Sequence, residues 1–170
     1  MPAPTDRQLL DKIAMQAVVS RYFQGVDRND LAQVRACFTE DVKGTYANRG
    51  TVVGVDKMLA MLRSHFENME NGTIRVCTHF MGTFNVDTLE GDSAETETYA
   101  LAFLVRAGAA TSDPDAMAMR SLRYLDRWKR TAEGWKICER IHTLDWSCKQ
   151  APDFATTMAK RLMRLPGSTR

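Results

Sequence analysis

The chain begins with apolar residues at helical spacing. One position in four is apolar along the first segment, at Leu10, Ala14, Val18 and Tyr22. This spacing predicts a helix over about 7–24, capped near Thr5, with one apolar stripe that lies against a sheet. Gly25 is expected to end that helix. A second, short helix is predicted from position 29 or 30 to about 38, and a third over about 56–69.

After residue 73 the period changes from helical to extended. Four long segments are predicted as strands, with turn signals between them: 74–86, 93–105, 117–129 and 135–146. Two shorter strands are expected at 42–46 and 51–53, on either side of a turn at Gly50. Pro152 suits the first position of a last helix, over about 152–165.

Helices followed by long antiparallel strands are typical of an α+β domain. We therefore expect a single domain over 1–170 with its core at about 7–148. In it, a strongly curved, mostly antiparallel sheet carries three helices on its concave side. Such a sheet forms a cone, and the helices close a pocket inside it. Pockets of this kind are mostly apolar with a few polar groups.

Composition narrows the possible functions. The 170 residues carry a formal net charge of +2 and are 44% hydrophobic, as in ordinary globular proteins. No basic stripe suits a nucleic acid, and no apolar run approaches the roughly 20 residues of a membrane span. The polar start lacks the order of a secretion signal, so a cytoplasmic protein is expected. The four cysteines, at 37, 77, 138 and 148, lack metal-ligand spacing, so no metal site is predicted.

Two polar residues occur in apolar surroundings. Asp27 follows the expected end of the first helix, where an acid is usually a helix cap unless it points into a cavity. His79 lies in the first long strand with Cys77 and Met81 on its own face, where a histidine is usually a core residue with a satisfied hydrogen bond. If the fold joins them, the carboxylate would fix the imidazole tautomer and stabilise its protonated form.

The order of elements and three local patterns resemble one family. The patterns are Tyr22-x-x-x-x-Asp27-x-x-Asp30 leading to Cys37-Phe38-x-x-Asp41, then Thr78-His79-Phe80, and then Trp128-Lys129-Arg130 with Gly134-Trp135-Lys136-Ile137. Over about 9–146 the chain resembles the SnoaL-like branch of the nuclear transport factor 2-like superfamily. Within it, the chain is similar to the scytalone dehydratase, lindane dehydrochlorinase and bile-acid 7α-dehydratase families. The resemblance implies a cone-shaped, cystatin-like α+β barrel.

The resemblance also implies a catalytic pair. In those families an Asp at the place of Asp27 pairs with a His at the place of His79 inside the cone, and elimination proceeds without a cofactor. His79 would then be the general base and Asp27 its orienting partner. Tyr22 and Tyr46 correspond to tyrosines of the bile-acid and scytalone dehydratases and are expected to donate hydrogen bonds. Tyr22 and Asp27 are five residues apart, so we expect them to converge only if the helix ends at Gly25.

Four further residues are expected to bind the substrate. Tyr124 corresponds to a pocket asparagine of scytalone dehydratase. Arg106 stands at the place of its second pocket histidine, where an arginine would hold an anionic or carbonyl group. Met81 and Phe103 are expected to complete the apolar wall. Val26 replaces the tyrosine that precedes the Asp in scytalone dehydratase, so scytalone is not the expected substrate.

Three functional hypotheses follow. The first is a lyase or isomerase that acts without a cofactor on a hydrophobic, ring-containing small molecule. The second is a non-catalytic binding protein for such a molecule, and the third is the small structural subunit of a ring-hydroxylating dioxygenase. A cone leaves one broad sheet face exposed, so a homo-oligomer, dimer or trimer, is expected. His65 and His142 are given no functional role.

Overall fold

A computed structural model of the chain describes residues 3–47, 49–110 and 112–152. The three helices are α1 (Asp6–Arg28), α2 (Leu31–Arg35) and α3 (Val55–Glu70). The six strands are β1 (Phe38–Tyr46), β2 (Gly50–Val53), β3 (Ile74–Glu90), β4 (Ser93–Arg106), β5 (Ala116–Thr131) and β6 (Gly134–Gln150). The helix predicted over 152–165 lies, apart from Pro152, outside the described residues.

The six strands form one curved sheet in the order β2-β1-β6-β5-β4-β3. The pairing of β1 with β6 is parallel, and every other neighbouring pair is antiparallel. The predicted α+β class and the mostly antiparallel sheet are therefore confirmed. The sheet does not close into a barrel, since β2 and β3 remain its two edges.

The concave face of the sheet carries the core. Along β4 the buried residues alternate with more exposed ones, so that Ala100, Ala102 and Leu104 face inward while Tyr99, Leu101 and Phe103 face outward. Helix α1 lies on the inner face, where its buried side includes Val18, Val19, Tyr22, Phe23 and Val26. Helix α3 packs against β1 and β3, and its buried residues include Met58, Leu62 and Phe66.

Helix α1 is longer than predicted. It begins with a capping box, in which Thr5 accepts from the Gln8 amide, and it continues through Gly25 to Arg28. It ends at Asn29, whose left-handed φ of 59° closes the helix in place of a glycine. Gly25 is therefore not the helix end. A Cβ at Gly25 would lie 2.9 Å from Val34 Cγ2, so this glycine lets α2 pack against α1.

Helix α2 is shorter than predicted. Its N-cap, Asp30, accepts a hydrogen bond from the Gln33 amide, and the helix ends at Arg35. Phe38, predicted as the helix end, instead begins β1, where it pairs with Ile137 of β6 and is 1% exposed. Phe38 stands four residues after Val34, at helical spacing, but its burial in the sheet overrides that local preference.

No helix within residues 3–47, 49–110 and 112–152 is long and apolar enough to cross a membrane.

Candidate active site

A cavity of about 320 Å³ lies between the concave face of the sheet and helices α1 and α3. Its volume lies at the lower end of the range for small-molecule sites. The residues that line it come from every strand except β2, from both long helices and from the turn between β1 and β2: Val26, Tyr46, Ala47, Arg49, Leu62, His65, Phe66, His79, Ala102, Leu104, Arg120, Leu122, Tyr124, His142 and Leu144.

The structure brings Asp27 and His79 into direct contact. Asp27 Oδ1 lies 2.7 Å from His79 Nδ1, and Asp27 Oδ2 accepts the backbone amide of His79 at 2.9 Å. Both carboxylate oxygens are thus held by the same residue. The side chains are only 15% and 8% exposed, so water competes weakly for this pair. With Nδ1 directed at a carboxylate, Nε2 is the ring nitrogen left for a ligand.

The His79 ring is also held by a stacking contact. Phe23 lies parallel to it, with ring centroids 5.1 Å apart and an interplanar angle of 9°. Phe23 and Asp27 are four residues apart on continuous α1, so they share one face of the helix. Phe23 therefore fixes the plane of the imidazole while Asp27 fixes its rotation. His79 Nε2 makes no hydrogen bond to any residue in the described part of the chain.

Tyr22 and Tyr46 are hydrogen-bonded to each other but occupy different positions. Their hydroxyl oxygens are 3.0 Å apart. Tyr46 lines the cavity, whereas Tyr22 does not and lies behind it. Because α1 does not end at Gly25, Tyr22 and Asp27 do not converge, and the continuous helix turns these two side chains to different sides. Burial raises the pKa of both phenols, well above the usual value for Tyr46, so both are neutral hydrogen-bonding groups near neutral pH.

A fully buried ion pair lies beneath the tyrosines. Arg140 Nε and Nη2 donate to the two oxygens of Asp126 at 2.7 Å each, and both side chains are 0% exposed. The Arg140 guanidinium carbon lies 4.2 Å from the ring centre of Tyr22 and 4.6 Å from that of Tyr124. This cation–π arrangement fixes the two rings, and Tyr124 in turn lines the cavity.

Two further histidines face the cavity. His142 stacks on Tyr46 with centroids 4.9 Å apart, and His65 projects from α3. Burial lowers the pKa of each to about 4, and nearby positive charge adds to the effect. Both imidazoles are therefore neutral near pH 7. His65 Nε2 and His142 Nδ1 are buried and make no hydrogen bond within the described residues. Each can offer a hydrogen bond to a polar ligand group.

Of the four predicted substrate-binding residues, one lines the cavity. Tyr124 lines the cavity. Arg106 is half-buried near it but is not among its lining residues, and Phe103 is on the outer face, where it contacts Phe80. Met81 and Asp27 line a neighbouring pocket of about 350 Å³, which shares His79 with the cavity. Met81, Phe103 and Arg106 therefore do not line the cavity as predicted, since Met81 faces the neighbouring pocket, strand alternation turns Phe103 outward, and Arg106 lies beyond Leu104 along β4.

Sequence reasoning missed four polar residues of the cavity: Arg49, His65, Arg120 and His142. For the residues on β5 and β6 a signal existed. Arg120, Leu122 and Tyr124 alternate along one strand, so assigning Tyr124 to the pocket also assigned Arg120. On β6, positions 140, 142 and 144 likewise share the inner face of the strand, and His142 and Leu144 line the cavity. For Arg49 and His65 no pattern distinguishes a cavity position from an exposed one.

One group of side chains has the composition of a metal site. The ligand atoms of Asp27, Cys77 and His79 lie within 4.8 Å of one another. In this arrangement Asp27 Oδ1 and His79 Nδ1 bind each other, and the Cys77 thiol lies 3.9 Å from the same nitrogen. A metal ion could bind here only after the Asp27–His79 hydrogen bond had been broken. The geometry fits a hydrogen-bonded pair better than a metal centre.

This fold and cavity identify the class of protein. The SnoaL-like domain family matches residues 7–141, and the chain belongs to that family. The predicted resemblance is confirmed. An uncharacterised protein of Mycobacterium tuberculosis is 26% identical over 149 residues, which cover 84% of this chain and 95% of that one.

Solved structures share the fold. A hexachlorocyclohexane dehydrochlorinase, LinA type 2, superposes with a TM-score of 0.71 at 16% identity, covering 86% of this chain and 94% of its own. A candidate scytalone dehydratase from Novosphingobium aromaticivorans superposes with a TM-score of 0.69 at 19% identity, covering 94% of this chain and all of its own (100%). At such identities these similarities establish the fold and not the reaction.

Proposed function

We propose that the protein is a lyase or isomerase that acts, without a cofactor, on a hydrophobic, ring-containing small molecule. The observation that carries this proposal is that His79, which lines the cavity, is held from behind by Asp27, with both oxygens of Asp27 bound to His79. A neutral imidazole has an unperturbed pKa of roughly 6.5 and is well matched to removing a proton near neutral pH.

The proposed chemistry begins with proton removal by His79. Nε2 takes a proton from a substrate carbon, and Nδ1–H continues to donate to Asp27, whose charge stabilises the imidazolium. The electron pair of the broken C–H bond forms a carbon–carbon double bond, and the leaving group departs with the electrons of its own bond. In an isomerisation, the same proton would return to a different carbon. In an elimination, the imidazolium passes that proton to the departing group or to solvent, so either route regenerates the neutral histidine.

Tyr46 is the proposed hydrogen-bond donor opposite the base. Its phenol is neutral, lines the cavity, and is held by Tyr22 at 3.0 Å. When Tyr22 donates to Tyr46, the Tyr46 hydroxyl hydrogen is free to point at a carbonyl oxygen or a departing hydroxyl. Tyr22 is then a positioning residue. Arg140, over the Tyr22 ring, holds that ring in place.

The names of two structural neighbours support elimination as the reaction type. One is a dehydrochlorinase and the other a candidate dehydratase, names that describe the loss of HCl and of water. The apolar residues of the cavity, among them Leu62, Phe66 and Leu122, suit a ring system. The few polar groups suit a carbonyl or hydroxyl on that ring.

The direct test uses a model dehydration. The β-hydroxy ketone 3-hydroxy-1-tetralone loses water to give fluorescent 1-naphthol, which reports turnover. We expect the protein to accelerate this loss, and His79→Ala to lower the rate by at least about 100-fold, since positioned acid–base groups contribute about 10²- to 10⁴-fold. Unchanged turnover in His79→Ala would contradict the mechanism.

Two isosteric variants test the charge of Asp27 and the hydroxyl of Tyr22. Asp27→Asn keeps the size of the side chain but removes the negative charge beside His79, so the rate should fall by about 10³- to 10⁴-fold, as for other histidine–carboxylate pairs. Tyr22→Phe leaves the cavity wall intact and removes only the partner of Tyr46, so a smaller loss is expected. Circular dichroism of each variant establishes that the fold is retained.

The two other hypotheses make different predictions. A binding protein would take up ring compounds stoichiometrically, form no product, and tolerate Asp27→Asn except in affinity. A small subunit of a dioxygenase would purify with a large partner subunit and would not depend on His79. The buried, doubly hydrogen-bonded carboxylate favours catalysis, because a passive apolar pocket does not need it.

A further inference from the structure

Arg120 forms no ion pair with a carboxylate in the described part of the chain, whereas each of the three other arginines of β5 forms ion pairs with two carboxylates. On β5, Arg123 pairs with Glu97 and Asp145, and Arg127 pairs with Glu95 and Glu139. Arg130 pairs with Asp11 and Asp92. Arg120 is half-buried, faces the cavity, and has no hydrogen bond or ion pair within the described residues. Its charge is therefore uncompensated at the one place where a ligand would lie.

The lining of the cavity adds the positive charge of Arg49 and no negative charge, since Asp27 contacts His79 without itself being among the lining residues. The ionisable residues of its lining are two arginines, three histidines and two tyrosines, and no carboxylate is among the lining residues described. Arg49, the second arginine, uses Nη1 to donate to the Met61 carbonyl at 2.6 Å, which fixes the side chain beside the cavity. Burial and the charges of Arg106 and Arg49 lower the pKa of Arg120, as expected of a cation that lacks a counter-charge.

The strand register sets Arg120 opposite the proposed base. Ala102 of β4 is the register partner of His79 on one side and of Arg120 on the other. Two strand spacings separate their Cα atoms by about 10 Å. The residue between them is an alanine, which leaves the floor of the cavity open there. A flat ring over Ala102 would have one edge at His79 and the opposite edge at Arg120.

We propose that Arg120, assisted by Arg49, binds an anionic oxygen group of the substrate, such as a carboxylate, about one ring across from the carbon that His79 deprotonates. The natural substrate would then be an anionic ring compound and not a wholly neutral one. A guanidinium suits this role because its planar N–H groups match both oxygens of a carboxylate. The position of the reacting carbon rests on the proposed function, but the anion site itself does not.

A pair of isosteric ligands tests the anion site. Naphthalene-2-carboxylate and naphthalene-2-carboxamide have the same shape and differ in charge, and calorimetric titration gives both affinities. We expect the wild-type protein to bind the carboxylate at least about tenfold more tightly. Arg120→Gln should reduce this preference to about twofold or less without weakening the carboxamide, whereas Arg120→Lys should retain part of it.

Arg127→Gln is the control, because Arg127 lies on the same strand and is exposed on the outer face. It should keep the wild-type preference. Equal binding of the two ligands, a preference that survives Arg120→Gln, or no carboxylate binding at millimolar concentration would overturn the proposal. His79→Ala is expected to keep the preference. A failure of the proposed catalysis would thus leave this titration unchanged, and the two failures can be told apart.

Discussion

At the scale of single residues, the three histidines of the cavity differ in what surrounds them. His65 and His142 are buried near positive charge, which lowers the pKa of each to about 4 and keeps both neutral. His79 alone among them lies against a carboxylate, at 2.7 Å. Burial therefore disfavours protonation at His65 and His142, whereas His79 has a carboxylate oxygen as the hydrogen-bond partner of its Nδ1. This difference supports the proposed role of His79 as the base and of its two neighbours as hydrogen-bonding groups.

The two neutral histidines predict an acid-sensitive stability. Between about pH 6.5 and pH 4 the unfolded chain binds protons at His65 and His142 and the folded chain does not, so the free energy of unfolding falls as the pH falls. The loss is at most about 3 kcal/mol for each histidine. Urea unfolding across this range should show a shallower decline for His142→Gln than for the wild type. Parallel declines would contradict the buried, neutral state of His142.

At the scale of elements, the length of α1 determines which side chains meet. The helix continues past Gly25, so Phe23 and Asp27 reach His79 together, while Tyr22 turns toward Tyr46 and Arg140. Helix α2 crosses closely enough that the Gly25 position is almost filled by Val34. The α1–α2 packing therefore supports the segment of α1 that carries Asp27.

Gly25→Ala tests this packing. In a helix interior, alanine is normally more stable than glycine by up to about 1 kcal/mol. Here the added Cβ would meet Val34 Cγ2 at 2.9 Å, so the substitution should lower the free energy of unfolding. Val34→Ala removes that atom, and the double variant should recover part of the loss in a thermodynamic cycle. A stabilised Gly25→Ala variant would show that the close approach is absent.

The sequence predicts best those elements in which the apolar pattern continues over many residues. Helix α3 and the four long strands agree with expectation, because their apolar positions repeat over many residues. The ends of α1 and α2 differ from the predicted ones. Helix α1 ends at Asn29, because this residue adopts the left-handed φ that glycine usually supplies. Helix α2 ends before Phe38, because Phe38 pairs with Ile137 in the sheet. Contact between Asp27 and His79 could be expected from their family context and not from spacing, since 52 residues separate them.

The polar residues of the cavity were harder to predict. Arg120 and His142 face inward by strand alternation, but a charged residue on a strand is ordinarily placed on the exposed face. The buried Asp126–Arg140 pair gave no signal, because the two residues meet only through the register of β5 with β6. A charged residue can be predicted as buried from the sequence only when the residue that forms an ion pair with it is known.

At the scale of the whole molecule, the outer face of the sheet exposes several large apolar side chains between its ion pairs. Five of its side chains are between 36% and 61% exposed: Phe80, Tyr99, Leu101, Leu125 and Ile141. Exposed apolar surface of this kind is typical of a protein–protein interface. We therefore expect a homo-oligomer, dimer or trimer, that uses this face.

Light scattering coupled to gel filtration tests the assembly. The wild type is expected to elute as a dimer or trimer at micromolar concentration, and Leu101→Glu to shift it toward the monomer, because the new charge would be buried at the interface. Lys57→Glu, a change of charge at an exposed position of α3 on the other side of the sheet, is the control. A wild type that is monomeric throughout, or an assembly unaffected by Leu101→Glu, would contradict this use of the sheet.

The most direct test of His79 as the base is proton removal from a compound that has no leaving group. In D₂O, a base in the cavity should exchange the C2 hydrogens of 1-tetralone for deuterium, which mass spectrometry detects as added mass. The account predicts exchange with the wild type, a rate about 10²-fold or more lower with Asp27→Asn, and none above buffer with His79→Ala. Exchange by His79→Ala at the wild-type rate would show that His79 is not the base.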